Sequence, residues 1–351
     1  MIKKIGIIGE GKMGTNLFYY LVDMEFDLVW VCSHDADIDK ITKNFLKRMN
    51  RALGVGILDE TRHQKILESI RITNSLEDVA SCELIIEAIS EDSVAKQTVF
   101  KALDSIANPE CIFTSNSSSV KPSDLIPSQT RKDKFAGMHF FYPVALKDIV
   151  EVIRTAETSE ETIKQITRFL KTISRKFILL EEKDSFILNR IFLQFQNDAF
   201  LLVNEGKASL HQIDRIVKEH FFPTGVFEFF DSVGLDIMLV SVRNYSKNDP
   251  EEERYQPLLL LLQRLVSEGR LGMKTRSGFY GDDLPFNPGY PENESVIISE
   301  LQRSYSSAFL RYSQSSGIHP DMLKTAMDEY FGTETPAFIP NKRTTSNEKD
   351  V

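Results

Sequence analysis

The stretch Ile5-Gly6-Ile7-Ile8-Gly9-Glu10-Gly11-Lys12-Met13-Gly14 decides the fold. An apolar run of strand type enters a Gly-x-Gly-x-x-Gly turn, and residues 13–24 behind it carry the apolar spacing of a helix. In such a unit Gly9 suits a tight turn, Gly11 the close approach of backbone to a pyrophosphate, and Gly14 close packing of helix on strand. The helix beginning at Lys12 and Met13 aims its free N–H groups and positive dipole end at the same place. Three glycines alone are a weak signal, and a plain strand–helix turn is the alternative. Their position directly after an apolar strand is what points to a dinucleotide.

Outward from this turn, strand-like runs at 4–9, 27–32, 69–73, 84–88, 111–115 and 134–139 alternate with helical patterns at 40–53 and 92–106. Further strands are expected at 148–154 and 177–181, with a helix at 159–173 between them. The alternation predicts an α/β fold, a Rossmann-type doubly wound and mostly parallel sheet with helices on both faces. Beyond about residue 182 the strand signal stops. Helical patterns at 185–205 and 210–220 then predict an all-α C-terminal domain. The expected division is 1–182 for the dinucleotide-binding domain and 183–290 for a helical substrate or dimerisation domain. An extra helical half-repeat follows at 291–340, and a disordered tail at 341–351. A linker is read at 282–295, and 272–280 is read as a closing loop.

The half-repeat rests on an internal similarity. Ala199-Phe200-Leu201 leads through His211 and Asp214 to His220-Phe221-Phe222. Ala308-Phe309-Leu310 leads through His319 and Asp321 to Glu329-Tyr330-Phe331. The second copy has no counterpart of Asn189-Arg190 and is read as a degenerate unit for packing or dimerisation.

Composition narrows the class of function. With 351 residues, 42% hydrophobic and 26% charged, the chain is of ordinary globular type. A formal charge of −9 leaves no basic excess for nucleic-acid phosphates. No apolar run approaches the roughly 20 residues of a membrane span. The first strand begins almost at Met1, which suggests no targeting segment and a cytoplasmic protein. Cys32, Cys82 and Cys111 are few, odd in number and set in strand-like runs, so they are expected as buried thiols. No metal is assigned.

Four polar positions carry the chemistry. His139 stands at the end of a predicted strand, where open parallel sheets place their sites. Glu151 is a carboxylate inside the apolar run Ile149-Val150-Glu151-Val152-Ile153, costly unless paired. Pairing it with His139 would fix the imidazole tautomer and support proton transfer near neutral pH. Ser115-Asn116-Ser117-Ser118-Ser119 follows another strand and offers donors, or is an ordinary polar turn. Asn189, in the apolar helix Phe186-Ile187-Leu188-Asn189-Arg190, must find partners there. A dinucleotide turn followed by a histidine with a carboxylate partner implies hydride transfer. At the end of the second strand, the position of the ribose-binding acid is Cys32, followed by Ser33 and His34. A carboxylate there would accept ribose hydroxyls and repel a 2′-phosphate. Without it Ser33, His34 or Lys40 could meet a phosphate, and Asp35 could substitute for the acid.

Taken together, these residues resemble the L-3-hydroxyacyl-CoA dehydrogenase family over roughly residues 1–280. Gly137-Met138-His139-Phe140-Phe141-Tyr142-Pro143 is similar to its catalytic-histidine motif, with Tyr142 where Asn is usual, and 149–153 to its catalytic-glutamate strand. The Ser115–Ser119 segment resembles its Ser-Asn-Thr-Ser-Ser. The resemblance therefore implies that Asn116 contacts the nicotinamide side and Ser118 the substrate hydroxyl. Ile86-Glu87-Ala88-Ile89-Ser90-Glu91, then Lys96, follows the family's cofactor loop and implies cofactor roles for Glu91 and Lys96. Asn189-Arg190 resembles its substrate-side pair. Phe227-Glu228, 231–236, Lys274-Thr275 and 278–280 resemble landmarks of its helical domain. Three features depart from the pattern: Cys32, Asp184-Ser185 in place of Pro-Gly, and the chain beyond about residue 290.

The resemblance implies oxidation of a 3-hydroxyacyl thioester, or the reverse, as in fatty acid metabolism. His139 would serve as base and acid, Glu151 would orient it, and Ser118 and Asn189 would hold the substrate oxygen between the two domains. NAD is the expected cofactor, with NADP open because of Cys32. The acyl group would sit on coenzyme A or on an acyl-carrier protein. Lys43, Lys47, Arg48 and Arg51 could hold a coenzyme A phosphate or form an ordinary solvated helix face. A homodimer through the helical domain is implied, on a surface the half-repeat could cover instead. The alternatives are a polyol or sugar-acid dehydrogenase of related fold, and a protein that binds nicotinamide without turnover.

Overall fold

Strand β1 (Lys4–Ile8) is aliphatic and buried from Ile5 onward. A strand covered on both faces has no use for polar alternation. It leads into α1 (Lys12–Val22), then β2 (Asp27–Val31), α2 (Ile38–Gly54), α3 (Glu60–Ser69) and β3 (Ile70–Thr73). Next come β4 (Leu84–Glu87), α4 (Ser93–Ile106), β5 (Ile112–Ser115), β6 (Phe135–Phe140), β7 (Ile149–Arg154), α5 (Glu160–Thr172) and β8 (Lys176–Glu181). The computed structural model describes residues 2–128, 131–247, 249, 251–281 and 293–336. The linker expected at 282–295 lies outside the described residues as far as 292, and so does the tail expected at 341–351.

The eight strands form one sheet in the order β3-β2-β1-β4-β5-β6-β7-β8, parallel throughout except between β6 and β7. The expected doubly wound sheet is present. Successive side chains leave a strand on opposite faces, and each face has its own core. Ile5, Ile7, Leu28, Trp30, Leu84 and Ile86 pack with Leu17, Phe18, Phe45 and Ile166 from the helices on one side. Ile8, Val29, Val31, Ile85 and Phe113 pack with Phe100 and Leu103 of α4 on the other. The chain moves one way from β1 to β2 and the other way to β4, so the switch point opens between the carboxyl ends of β1 and β4.

The chain divides into two compact units, Met1–Ser185 and Phe186–Val351. The second is helical: α6 (Ile187–Asn204), α7 (Leu210–His220), α8 (Val226–Val233), α9 (Leu235–Ser246), α10 (Gln256–Ser267), α11 (Glu294–Ser316) and α12 (Pro320–Phe331). Two buried aspartates tie it together. Asp214 accepts the backbone N–H of Phe227 and of Glu228, each at 2.9 Å, and the Tyr280 hydroxyl at 2.6 Å. Asp231 accepts the N–H of Phe279 at 2.8 Å and of Tyr280 at 3.0 Å, which closes the loop read at 272–280.

Helix α11 lies along α6, with Ser304 donating to Asp198 (2.5 Å) and Arg311 to Gln194 (2.6 Å). The two aromatic positions that the internal similarity equates, Phe222 and Phe331, stack on each other with ring centres 4.2 Å apart. Helices α3, α8, α9 and α10 are assigned no helix in the sequence reading. The single buried side chain of α3 is Ile66, too little for an apolar stripe, while α9 and α10 lie in a stretch to which no element was assigned. Among the described residues no helix is long and apolar enough to cross a membrane.

The glycine turn makes a testable contrast. A Cβ on Gly14 would fall 2.0 Å from the Gly9 carbonyl oxygen, whereas one on Gly11 would meet no atom within 4 Å. Gly14→Ala should cost about 1–3 kcal/mol of stability, as overpacked sites do. Gly11→Ala should stay within about 0.5 kcal/mol of wild type. Urea unfolding followed by circular dichroism checks both. Equal effects of the two substitutions would contradict the helix–strand contact assigned to Gly14.

Candidate active site

His139 and Glu151 are direct partners in the antiparallel register of β6 and β7. Opposed residues on such a pair point to the same face with their Cβ atoms about 5 Å apart, so the ladder itself brings the two side chains together. The imidazole Nδ1 lies 2.8 Å from Glu151 Oε2, and both side chains are buried. A carboxylate at Nδ1 selects the tautomer with hydrogen on that nitrogen, which donates to Oε2 and makes Nε2 the basic atom. The Phe141 ring, with its centre 4.4 Å from that of the imidazole, forms one wall.

The serine segment beyond β5 is organised by one carboxylate. Glu91 Oε1 accepts the backbone N–H of Ser118 (2.9 Å) and Ser119 (2.8 Å), and the hydroxyls of Ser117 (2.6 Å) and Ser119 (2.9 Å). The Ser118 hydroxyl lies 3.2 Å from the same oxygen. Lys96, although a lysine, is only 1% exposed; its ammonium donates to Glu87 at 2.6 Å and lies 3.4 Å from Glu91 Oε2. Glu87, wholly buried at the end of β4, also accepts the Ser115 hydroxyl (2.6 Å) and the Ile89 N–H (2.8 Å). Burial raises the Glu91 pKa. The Lys96 charge and the hydrogen bonds from Ser117 and Ser119 outweigh that and hold it below the usual glutamate value. Asn116 Oδ1 accepts the Phe140 N–H at 2.8 Å, which ties the segment to the residue after His139.

The dinucleotide turn is held from behind. Gly9 has φ of +111°, and its carbonyl accepts the Trp30 indole N–H at 2.9 Å. Gly11 is the N-cap of α1, and no side chain caps that end. With open space at Gly11 and tight contacts at Gly9 and Gly14, the turn fits a dinucleotide pyrophosphate. The Lys12 ammonium stands 4.0 Å from the centre of the Tyr142 ring, which links this turn to the chain after His139. Cys32 is buried, and its thiol is pushed up to about 12 by burial and then by the Glu10 charge. Ser33 is held by Glu10, its N–H donating at 2.9 Å and its hydroxyl at 2.5 Å. His34, Asp35 and Lys40 are exposed. Arg48 lies over the Tyr19 ring at 4.1 Å.

Asn189 belongs to the second unit, where its Nδ2 donates to the Tyr245 hydroxyl at 2.9 Å. Glu91 and Lys96, given to the cofactor by resemblance, are both engaged within the protein. The sequence reading assigned no part to Glu87 or Glu10. For Glu87 the signal was the one that singled out Glu151, a charge inside an apolar strand. For Glu10 it was an acid in the turn combined with a missing acid at residue 32.

Comparison with known proteins gives a consistent result. Residues 4–184 match the family described as 3-hydroxyacyl-CoA dehydrogenase, NAD binding domain, and residues 186–282 match its C-terminal domain. The mitochondrial hydroxyacyl-coenzyme A dehydrogenase of Sus scrofa is 31% identical over 287 residues, 80% of this chain and 91% of that one. A 3-hydroxybutyryl-CoA dehydrogenase of Bradyrhizobium diazoefficiens is 32% identical over 285 residues, 80% of this chain and 95% of that one. The crystal structure of (S)-3-hydroxybutyryl-CoA dehydrogenase from Ralstonia eutropha superposes with a TM-score of 0.70 at 30% identity. It covers 81% of this chain and 100% of that one.

The Glu91 cluster predicts a pH-dependent loss. A carboxylate whose pKa is depressed on folding adds stability above its unfolded value, and that stability disappears as the pH falls through the folded value. Glu91→Gln should therefore cost about 1.5–3 kcal/mol at pH 7, the range for charge-assisted hydrogen bonds. The gap to wild type should close as the pH drops below about 4.3, the ordinary glutamate value. Urea unfolding at a series of pH values measures it, and a gap independent of pH would contradict the assignment.

Proposed function

The chain belongs to the 3-hydroxyacyl-CoA dehydrogenase family, and on that premise we propose that it moves a hydride between a nicotinamide cofactor and C3 of a 3-hydroxyacyl or 3-oxoacyl thioester. The observation that carries this reading is the buried hydrogen bond of 2.8 Å between His139 Nδ1 and Glu151. It readies Nε2 to take a proton and keeps a negative charge beside the ring for the moment it becomes cationic.

In the oxidising direction the C3 hydroxyl gives its proton to His139 Nε2 as the C3–H bond breaks and the carbonyl forms. A bound nicotinamide dinucleotide supplies the hydride acceptor. In the reducing direction the same nitrogen returns the proton to the C3 oxygen. Glu151 orients the ring through Nδ1 and stabilises the imidazolium. Ser118, placed by the Glu91 cluster, contacts the C3 oxygen through its hydroxyl, and the Gly9–Gly14 turn with Lys12 and Met13 receives the pyrophosphate. Asn189 is assigned to the substrate side on family resemblance alone. A coenzyme A ester is the favoured substrate, in keeping with the names of the relatives, and a carrier-protein-bound acyl group is the second choice.

Absorbance at 340 nm with acetoacetyl-CoA and NADH or NADPH tests the proposal. His139→Gln should lower kcat by about 10²- to 10⁴-fold, the usual share of acid–base catalysis. Cofactor affinity should stay within about twofold, since only the proton acceptor is removed. Glu151→Gln should lower kcat with little change in KM, because its contribution appears only as charge develops on His139. A wild-type rate in His139→Gln would end the assignment. A protein that binds cofactor without oxidising it would redirect attention to carrier-bound or polyol substrates.

A further inference from the structure

Neighbouring parallel strands release their chains side by side, and β1 pairs with β2 in the register Ile8↔Val31. The residues just past their ends, Glu10 and Ser33, therefore face each other across the rim of the dinucleotide turn. The Glu10 carboxylate spans that gap, accepting the Ser33 N–H on Oε2 (2.9 Å) and the Ser33 hydroxyl on Oε1 (2.5 Å). Its proximity to Cys32 is also visible in the thiol, which the Glu10 charge helps to push up to about 12.

We propose that Glu10 replaces the acid missing at residue 32, so that the adenosine-ribose subsite accepts a free 2′-hydroxyl and rejects a 2′-phosphate. The proposal rests on the reading of the Gly9–Gly14 turn as a dinucleotide site. In a Rossmann unit the selecting carboxylate stands at the end of the second strand and accepts the ribose hydroxyls. Here the second strand ends in a buried, uncharged thiol, and the carboxylate reaches the same rim from the first strand's turn. Two of the roughly four lone-pair sites of a carboxylate are taken by Ser33, which leaves acceptor capacity on both oxygens for a pair of vicinal hydroxyls. Among the described residues no lysine, arginine or histidine forms an ion pair with Glu10, and the Lys12 ammonium is turned to the Tyr142 ring instead. Ser33, one of the three residues that could meet a phosphate, is committed to that carboxylate.

The test is direct binding to the full chain, read from nicotinamide fluorescence with NADH and NADPH. Displacement of NADH by 5′-AMP or by adenosine 2′,5′-bisphosphate isolates the ribose end. Wild type should bind NADH at least about tenfold more tightly than NADPH, the scale of one like-charge contact near a protein surface. Glu10→Gln, which keeps an oxygen for Ser33 but removes the charge, should reduce that ratio by about tenfold. Adding Cys32→Asp to Glu10→Gln should restore the preference from the other strand. Equal affinities in wild type, a preference for NADPH, an unchanged ratio in Glu10→Gln, or failure to bind either nucleotide would each overturn the proposal. Selective NADH binding without turnover of acetoacetyl-CoA would leave Glu10 in place and sink the proposed reaction. Turnover with the two cofactors used equally would do the reverse.

Discussion

The antiparallel register of β6 on β7 is the constraint on which the candidate site depends. It is the single reversal in an otherwise parallel sheet, and it sets His139 opposite Glu151. A slip of one residue would turn every side chain of one strand to the other face and separate the pair. The connection between the strands is therefore pinned. Arg175 pairs with Asp148, donates to the Val144 carbonyl at 2.8 Å and lies over the Tyr20 ring at 4.1 Å. A surface-type residue, buried for this purpose, fixes where β7 begins.

A second layer of organisation runs through buried charge. The Glu87–Lys96 pair has both side chains removed from water, and such pairs often add little net stability beside an apolar replacement. What it does supply is direction. Glu87 fixes Lys96, Lys96 faces Glu91, and Glu91 gathers the amides and hydroxyls of the serine segment. The conformation of that segment is thus set from the interior of the sheet as well as by the loop's own hydrogen bonds, such as that from the Val120 N–H to the Ser117 hydroxyl at 2.8 Å.

Much of this was open to the sequence, for reasons that differ from element to element. All eight strands could be read because their apolar runs are bounded by turns, and the His139–Glu151 pair because a lone carboxylate in an apolar strand requires a partner. Helix α3 could not be read, since Ile66 alone gives no stripe. The hydrogen-bond partners of Glu10, Glu87 and Glu91 could not be read, for another reason. Each depends on which distant backbone amide or hydroxyl its carboxylate meets, and periodicity carries no information about such meetings. The internal similarity showed two helix pairs but not that Phe222 and Phe331, equivalent within it, would stack on one another.

Trp30 has one more consequence. It is the chain's single tryptophan, stacked on Phe18 at 4.2 Å and hydrogen-bonded to the Gly9 carbonyl. All indole emission from this protein therefore originates behind the glycine turn, in the unit Met1–Ser185. Denaturation followed by that emission reports directly on the first unit alone, whereas circular dichroism sums over both. A difference between the two curves would measure how far the units unfold independently, so the sequence contains its own label for only one half of the molecule.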